Sequence, residues 1–320
     1  MKDSEYFKID LHSNSRLSNF DKKGARAINS KFGGDTEELN LGALVEELLQ
    51  GDNNSLKENF IITDNVKPTA FLGDLTTAMI ENNAKHNIET AVTLAKMLGL
   101  WSNVVNHDVY RKKIDKQQFW EYLRLQKTKK RIVSPEMYTI AKTMKNGLVE
   151  GMFTKDIYNV KKGEELIDQQ VIIWNKKTCK SKLDTIKVNH KLKTLTPYDL
   201  KTTSFNKETF ISSFYKFRYY IQASMYHDAI IEWAFINFPD YKVKPFQFIV
   251  VQKDDPNNPL VYTVSDVKIS EGRDGFFNED GKLLRKGYKQ LIEEYDWHVN
   301  MNMFDFSMET YKADGNILIE

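Results

Sequence analysis

The chain has 320 residues, 41% of them hydrophobic and 12% aromatic, which suffices for one large domain or two small ones. Its 46 basic and 44 acidic residues leave a net charge of +2, which excludes a protein that coats nucleic acid but leaves room for a local basic groove. No apolar run approaches the ~20 residues of a membrane span, the first residues lack the apolar segment of a secretory leader, and the single Cys179 excludes an internal disulfide. These features point to the cytoplasm.

Residues 1–35 are polar, rich in Ser, Asn and Lys, and close on Gly33-Gly34; they read as a mobile arm or irregular segment. Residues 36–160 read as mainly helical. Apolar spacing predicts helices over 39–50, 72–82, 88–100 and 117–126. Another is predicted over 135–150, with Ser134 as N-cap and Pro135 in the first turn. This region is expected to pack on the following core and to form one wall of a channel. Residues 161–265 alternate differently. Strands are predicted at 169–174, 179–188, 196–202, 246–252 and near 260–264, with one long helix over 207–236 between the third and fourth. Phe210, Phe214, Phe217, Ile221 and Met225 recur at three-to-four spacing in that helix and read as its core stripe. Residues 266–320 read as a helical extension with one clear helix, 282–296. The fold class is therefore α/β, a central mixed sheet flanked by helices with a mainly helical N-terminal half.

Chemistry concentrates in the third of these regions. Asp184 closes Leu183-Asp184 on one strand, and fifteen residues on comes Asp199-Leu200-Lys201. Alternation along a strand puts Asp199 and Lys201 on one face while Leu200 points into the core. If the two strands pair, Asp184 approaches Asp199, and two adjacent carboxylates are most simply reconciled by a divalent cation. Gln222 and Tyr226 lie four apart, on one face of the long helix. Acid-x-Lys alone is common: Asp21/Lys23, Asp240/Lys242, Asp266/Lys268 and Asp280/Lys282 also fit it. What separates Asp199/Lys201 from those is its β-prone setting and the company of Asp184, Gln222 and Tyr226. Lys176, Lys177, Lys180, Lys182, Lys187, Lys191 and Lys193 crowd the same hairpin and read as a DNA-facing surface, or else as a solubilising one.

This set resembles the PD-(D/E)xK nucleases, nearest to the RecB-like and RecE/lambda-type exonuclease branch, over residues 165 to 265. The resemblance implies a restriction-endonuclease-like core. It implies Mg²⁺, with Mn²⁺ as a substitute, held by Asp184, Asp199 and the Leu200 backbone carbonyl. It gives Lys201 the task of orienting or deprotonating the attacking water, and sets Gln222 and Tyr226 beside the metal, near the DNA backbone. Two positions depart from the family. Five residues before Trp174, where relatives carry Glu, stands Gln169, with Glu165 and Asp168 off register; Glu150 is a candidate substitute. Where relatives carry His after Gly-x-x-x, the run Gly73-Asp74-Leu75-Thr76-Thr77 has Thr77. With one cysteine, an iron–sulfur cluster is excluded, and no phosphate-loop motif signals an ATPase.

The function so implied is Mg²⁺-dependent exonucleolytic hydrolysis of DNA, resecting linear duplex ends for recombination or repair. An annealing protein would be the partner and a homo-oligomer the assembly, in a host cytoplasm if the gene is viral. Two alternatives stand beside it: a catalytically weakened nucleic-acid-binding or assembly protein on the same fold, and an endonuclease.

Overall fold

The computed structural model describes residues 3–29, 36–51, 53–104 and 106–316. Contacts divide the chain into two compact units, Thr36–Lys145 and a second made of Met1–Asp35 with Asn146–Glu320.

The first unit is helical, as the apolar spacing predicts. Helices Glu37–Gln50, Ala70–Glu81, Ile88–Met97 and Gln117–Gln126 match the expected segments within a few residues. Their starts are fixed by local chemistry. Thr36 and Asn87 accept the backbone N–H of Leu39 and Thr90, each satisfying a donor that the first turn leaves unpaired. Leu75, Met79, Val92, Phe119 and Leu123 form the core. Thr77 returns its hydroxyl to the Gly73 carbonyl at 3.0 Å and receives Lys67 Nζ at 2.8 Å. A short parallel pair, Phe60–Ile62 with Arg131–Val133, was not visible in the sequence.

The second unit is built on a six-stranded mixed sheet. Its main strands are β1 (Glu164–Trp174), β2 (Cys179–Asn189), β3 (Thr194–Thr203), β4 (Gln247–Gln252) and β5 (Asp255–Thr263), adjacent in that order. The two-residue strand Lys242–Val243 also pairs with β3. β3 pairs parallel with both Lys242–Val243 and β4, which the chain reaches by crossing over through helices, and the other pairings are antiparallel. Five helices matter to the site: α1 (Asn14–Lys23), α2 (Phe210–Lys216), α3 (Tyr219–Asn237), α4 (Asp266–Asp274) and α5 (Tyr288–Met301).

α3 is the axis of this unit. Its residues 220 to 225 are buried without interruption, so it has no polar face over that stretch. Leu183, Ile186, Val188, Leu195, Phe246, Phe248 and Val250 from the sheet join Ile221, Met225 and Ile230 in one core. α4 crosses α3 closely, because a Cβ on Gly272 would run into the Tyr220 carbonyl and the Ser224 hydroxyl. Ser224 answers by donating to the Ile269 carbonyl at 2.7 Å.

Four expectations are corrected. Residues 14–23 are not an arm but helix α1, capped by Ser13, with Leu17 and Phe20 in the main core; the Gly33-Gly34 end lies outside the described residues. The single helix over 207–236 is broken at Arg218, which takes a left-handed conformation, φ 60°, where a side chain is disfavoured. An ion pair from Arg218 to Asp21 of α1 accompanies the break, and Phe217 stands outside the core that takes Phe210 and Phe214. Leu200 is buried, but beside Ile249 on the sheet face away from α3. The helix expected at 282–296 starts only at Tyr288, because Leu283–Arg285 pairs with Phe276–Phe277 as a small hairpin.

Candidate active site

The β1–β2 hairpin carries an irregularity at its centre. Ile172 and Trp174 face the core from β1 and Leu183 from β2, whereas beyond the midpoint Ile167, Ile186 and Val188 do so. The face each strand presents therefore switches parity at one level. That level is Gln169, at φ 52°, whose register sets it across from Asp184. A left-handed non-glycine residue inside a strand is costly and persists where surrounding structure enforces it. The switch bears directly on Asp184. It lies one step past the last β2–β3 pair, Thr185 with Tyr198, and its Oδ2 accepts the Leu200 backbone N–H at 2.8 Å. The carboxylate thus stands where a ladder bond would continue.

Asp199 and Lys201 point from β3 toward α3, in register with Phe248 and Val250 of β4. Asp199 is 2% exposed. Gln222 donates its amide to Asp199 Oδ1 at 2.6 Å, and Lys201 Nζ lies 2.5 Å from Oδ2. That second contact is an ion pair without hydrogen-bond alignment, so Oδ2 has no oriented donor. Burial pushes the Asp199 carboxyl above its ordinary range, against the pull of Lys201 and Gln222. Burial alone would lower the Lys201 ammonium, but Asp199, Tyr219 and Asp184 outweigh it and hold it charged, well above its usual value. The Tyr219 ring lies 4.7 Å beneath that ammonium and Phe248 5.5 Å away.

Gln222 is 6% exposed, so the expected polar edge is instead a buried amide in a core helix. Tyr226, one turn on, packs its ring on Phe246. Burial first, then Tyr6, Asp199 and Asp184, raise its phenol well above the usual value, with Gln222 opposing. The five side chains singled out by sequence are therefore gathered around one point of the sheet. Tyr219 was missed, although it stands one helical turn before Gln222 and shares its face. Tyr6 was also missed, being hidden in the supposed arm.

The other acidic candidates lie in these settings. Glu150 is exposed at a helix end, Glu165 faces His190 at 3.4 Å, and Asp168 accepts the Thr185 hydroxyl at 2.9 Å. Lys180 is buried, donating to the Tyr6 and Ile9 carbonyls at 2.7 and 2.8 Å, so it straps the N-terminal segment rather than facing DNA. Lys187 is likewise occupied, 2.9 Å from Glu164. A cleft of about 590 Å³ near the far end of α3, lined by Ile231, Phe235, Phe238 and Tyr241 among others, contains none of the site residues.

Among the described residues no three His, Cys, Asp or Glu side chains are grouped to hold a metal. The donor set is two carboxylates. That suits Mg²⁺, which commonly takes one or two carboxylates and completes its shell with water and substrate phosphate. Lys201 offsets only part of the burial cost of the Asp199 anion, so a cation shared with Asp184 would relieve it further.

Residues 13–285 match the family described as PDDEXK-like domain of unknown function (DUF3799). The chain belongs to this family. Its core is thus of the nuclease type. A crystal structure of a Eubacterium rectale protein provisionally named an exonuclease is similar at 12% identity and a TM-score of 0.44, covering 100% of this chain and 95% of that one. No curated protein matches the chain. Among the described residues no helix is long and apolar enough to cross a membrane.

Proposed function

We propose that the chain is a divalent-metal-dependent DNA nuclease acting as an exonuclease on linear duplex ends, with Mg²⁺ as metal and Mn²⁺ as a substitute. The observation that carries this reading is the buried Lys201–Asp199–Gln222 line with Asp184 fixed on the Leu200 amide. Two carboxylates and a lysine on one buried point are the groups that a metal-assisted phosphate-cleaving site uses.

A divalent cation on Asp184, Asp199 and the Leu200 carbonyl would supply positive charge at the scissile phosphate and make hydroxide accessible at neutral pH. The protein's own groups do the rest. Lys201, held charged by both carboxylates, places a compact ammonium against the phosphoryl oxygens and orients the attacking water. Gln222 fixes the rotation of the Asp199 carboxylate through Oδ1, leaving Oδ2 for the metal side. Tyr226 keeps its proton at physiological pH and so meets the DNA backbone as a donor. End resection for recombination or repair, with an annealing protein taking the product strand and copies of this chain assembled around the duplex, is the context this activity would serve.

Digestion of linear against closed circular duplex, with Mg²⁺ or with EDTA, tests the proposal. Loss of linear DNA alone, and only with metal, is expected. Cleavage of the circle would replace the exonuclease by an endonuclease. No digestion of either would leave a nucleic-acid-binding protein on a nuclease fold.

A further inference from the structure

The helix break at Arg218 leaves an aromatic residue without a core. Phe217 has the spacing of the stripe through Phe210 and Phe214, yet it is half-buried and outside that cluster. Its ring lies 5.7 Å from the Tyr219 ring, which itself sits under Lys201. Lys22 Nζ is 5.7 Å and Lys216 Nζ 5.5 Å from the Phe217 centroid. Lys216 is also 5.6 Å from Phe205, whose side chain is 56% exposed. Phe205 is presented by an anchored turn. Its N–H donates to the Thr203 hydroxyl at 2.9 Å, and the next turn is pinned by buried Lys207 on Asp255. Lys22 and Lys216 are exposed. A continuous run, Lys201, Tyr219, Phe217, Lys22 with Lys216, then Phe205, therefore leads from the buried site to the surface.

Alternating rings and ammonium groups match an unpaired nucleic-acid strand, in which π-faced bases alternate with phosphates. A duplex hides its base faces, and an apolar protein partner would have no use for two exposed cations between the rings. We propose that Phe205 and Phe217 are stacking platforms, and Lys22 and Lys216 phosphate contacts, for a single strand of DNA threaded to or from the Asp199–Lys201 site. This deepens the nuclease reading above and rests on it for the strand's destination. The left-handed Arg218 has a use in this arrangement: it ends α2 and leaves Phe217 outside the core.

The test measures binding of a fluorescent oligothymidylate, and of a blunt duplex of equal length, in EDTA, so that no cleavage is needed. Phe205→Ala with Phe217→Ala should weaken single-strand binding by about tenfold or more per ring and leave duplex affinity nearly unchanged. Phe205→Leu with Phe217→Leu keeps the apolar volume and guards against misfolding; it should lose single-strand affinity as well. Lys22→Ala with Lys216→Ala should flatten the dependence of log affinity on log salt by about one to two units. Full single-strand affinity in the leucine pair would overturn stacking and mark the rings as a face for a protein. No binding of single strands by the unsubstituted chain would overturn the track outright. Failure of the nuclease reading shows separately, as absence of Mg²⁺-dependent digestion by a chain that still binds the oligonucleotide.

Discussion

α3 takes part in two carboxylate–cation networks, one at buried Asp199 and one at half-buried Asp228, and they differ in how completely the carboxylate is satisfied. Asp228 receives Arg273 through two nitrogens, Nε at 2.6 Å and Nη2, and the Tyr288 hydroxyl at 2.7 Å. Burial opposes ionisation there, yet those donors and His227 overcome it and hold the carboxyl well below the usual range. Asp199 is more deeply buried, has one oriented donor, and is pushed the other way. The first network is complete without a ligand and ties α3, α4 and α5 together. In the second, one oxygen meets its cation without an aligned hydrogen bond, and burial still disfavours the anion. A carboxylate that folding leaves under-satisfied is a better marker of a working site than one in a good ion pair.

The largest effect should come from breaking the incomplete network. Asp184→Ala, Asp199→Asn and Lys201→Ala should each lower Mg²⁺-dependent cleavage by about a hundredfold or more while DNA binding persists. Asp199→Asn keeps the shape but takes the nearest counter-charge from the Lys201 ammonium, whose side chain is 18% exposed, so it should also cost about 3–5 kcal/mol in stability. Lys201→Arg should also fail, since a planar guanidinium does not fit where a compact ammonium lies between a carboxylate and the Tyr219 ring. Digestion at the parent rate by any of the four would reject the site.

The converse substitution isolates the complete network. Asp228→Asn should cost about 2–3 kcal/mol in denaturant unfolding, near the low end for breaking a buried pair because Arg273 keeps 27% of its side-chain exposure. Cleavage per folded molecule should not change. The pH dependence has a definite sign. An unfolded Asp titrates near 3.9, and Asp228 in the fold lies below that, so its contribution is fully present at neutral pH and is lost as pH falls from about 5 through the folded value. The stability gap between parent and Asp228→Asn should therefore narrow on acidification. A gap constant from pH 7 to pH 3 would mean that Asp228 is not held ionised by Arg273.

The sheet was legible because strand alternation and apolar runs such as 246–251 are local signals, and alternation put Asp199 and Lys201 on one face; the resemblance to the nuclease family, not the spacing, set Gln222 beside them. What escaped depended on tertiary contacts. The parity switch at Gln169 needs the partner strand, and neither glycine nor proline announces it. The break at Arg218 is equally unmarked in sequence, and its ion pair reaches back to Asp21, nearly two hundred residues earlier. α1 carries only Leu17 and Phe20 as buried apolar residues in a polar stretch, so composition hid this helix. Lys180 looked like solvent-facing charge, and its burial follows from carbonyls offered by residues 6 and 9.

Gln222 offers the finest test, because it belongs to the core and to the site at once. On an exposed helix edge, its truncation would leave stability close to the parent. Its burial in α3 and its bond to Asp199 predict otherwise. Gln222→Ala removes a donor to a charged acceptor and leaves a small void, which should cost about 1–3 kcal/mol. The neighbouring Ile221→Ala, a purely apolar truncation in the same core, should cost about 2–5 kcal/mol with cleavage per folded molecule retained. The two variants thus separate on activity rather than on stability. Gln222→Ala frees the rotation of the Asp199 carboxylate and should lower cleavage by about tenfold, a smaller loss than removing a metal donor, since positioning is weakened but the charge stays. Gln222→Glu is the sharper arm. It sets a second carboxylate against Asp199 Oδ1 in a buried place, and the two can coexist only by sharing a proton or gaining a cation. Its thermal midpoint should therefore rise on adding Mg²⁺ by more than the parent's does. A Gln222→Glu variant whose stability ignores Mg²⁺ would mean that no cation reaches Asp199.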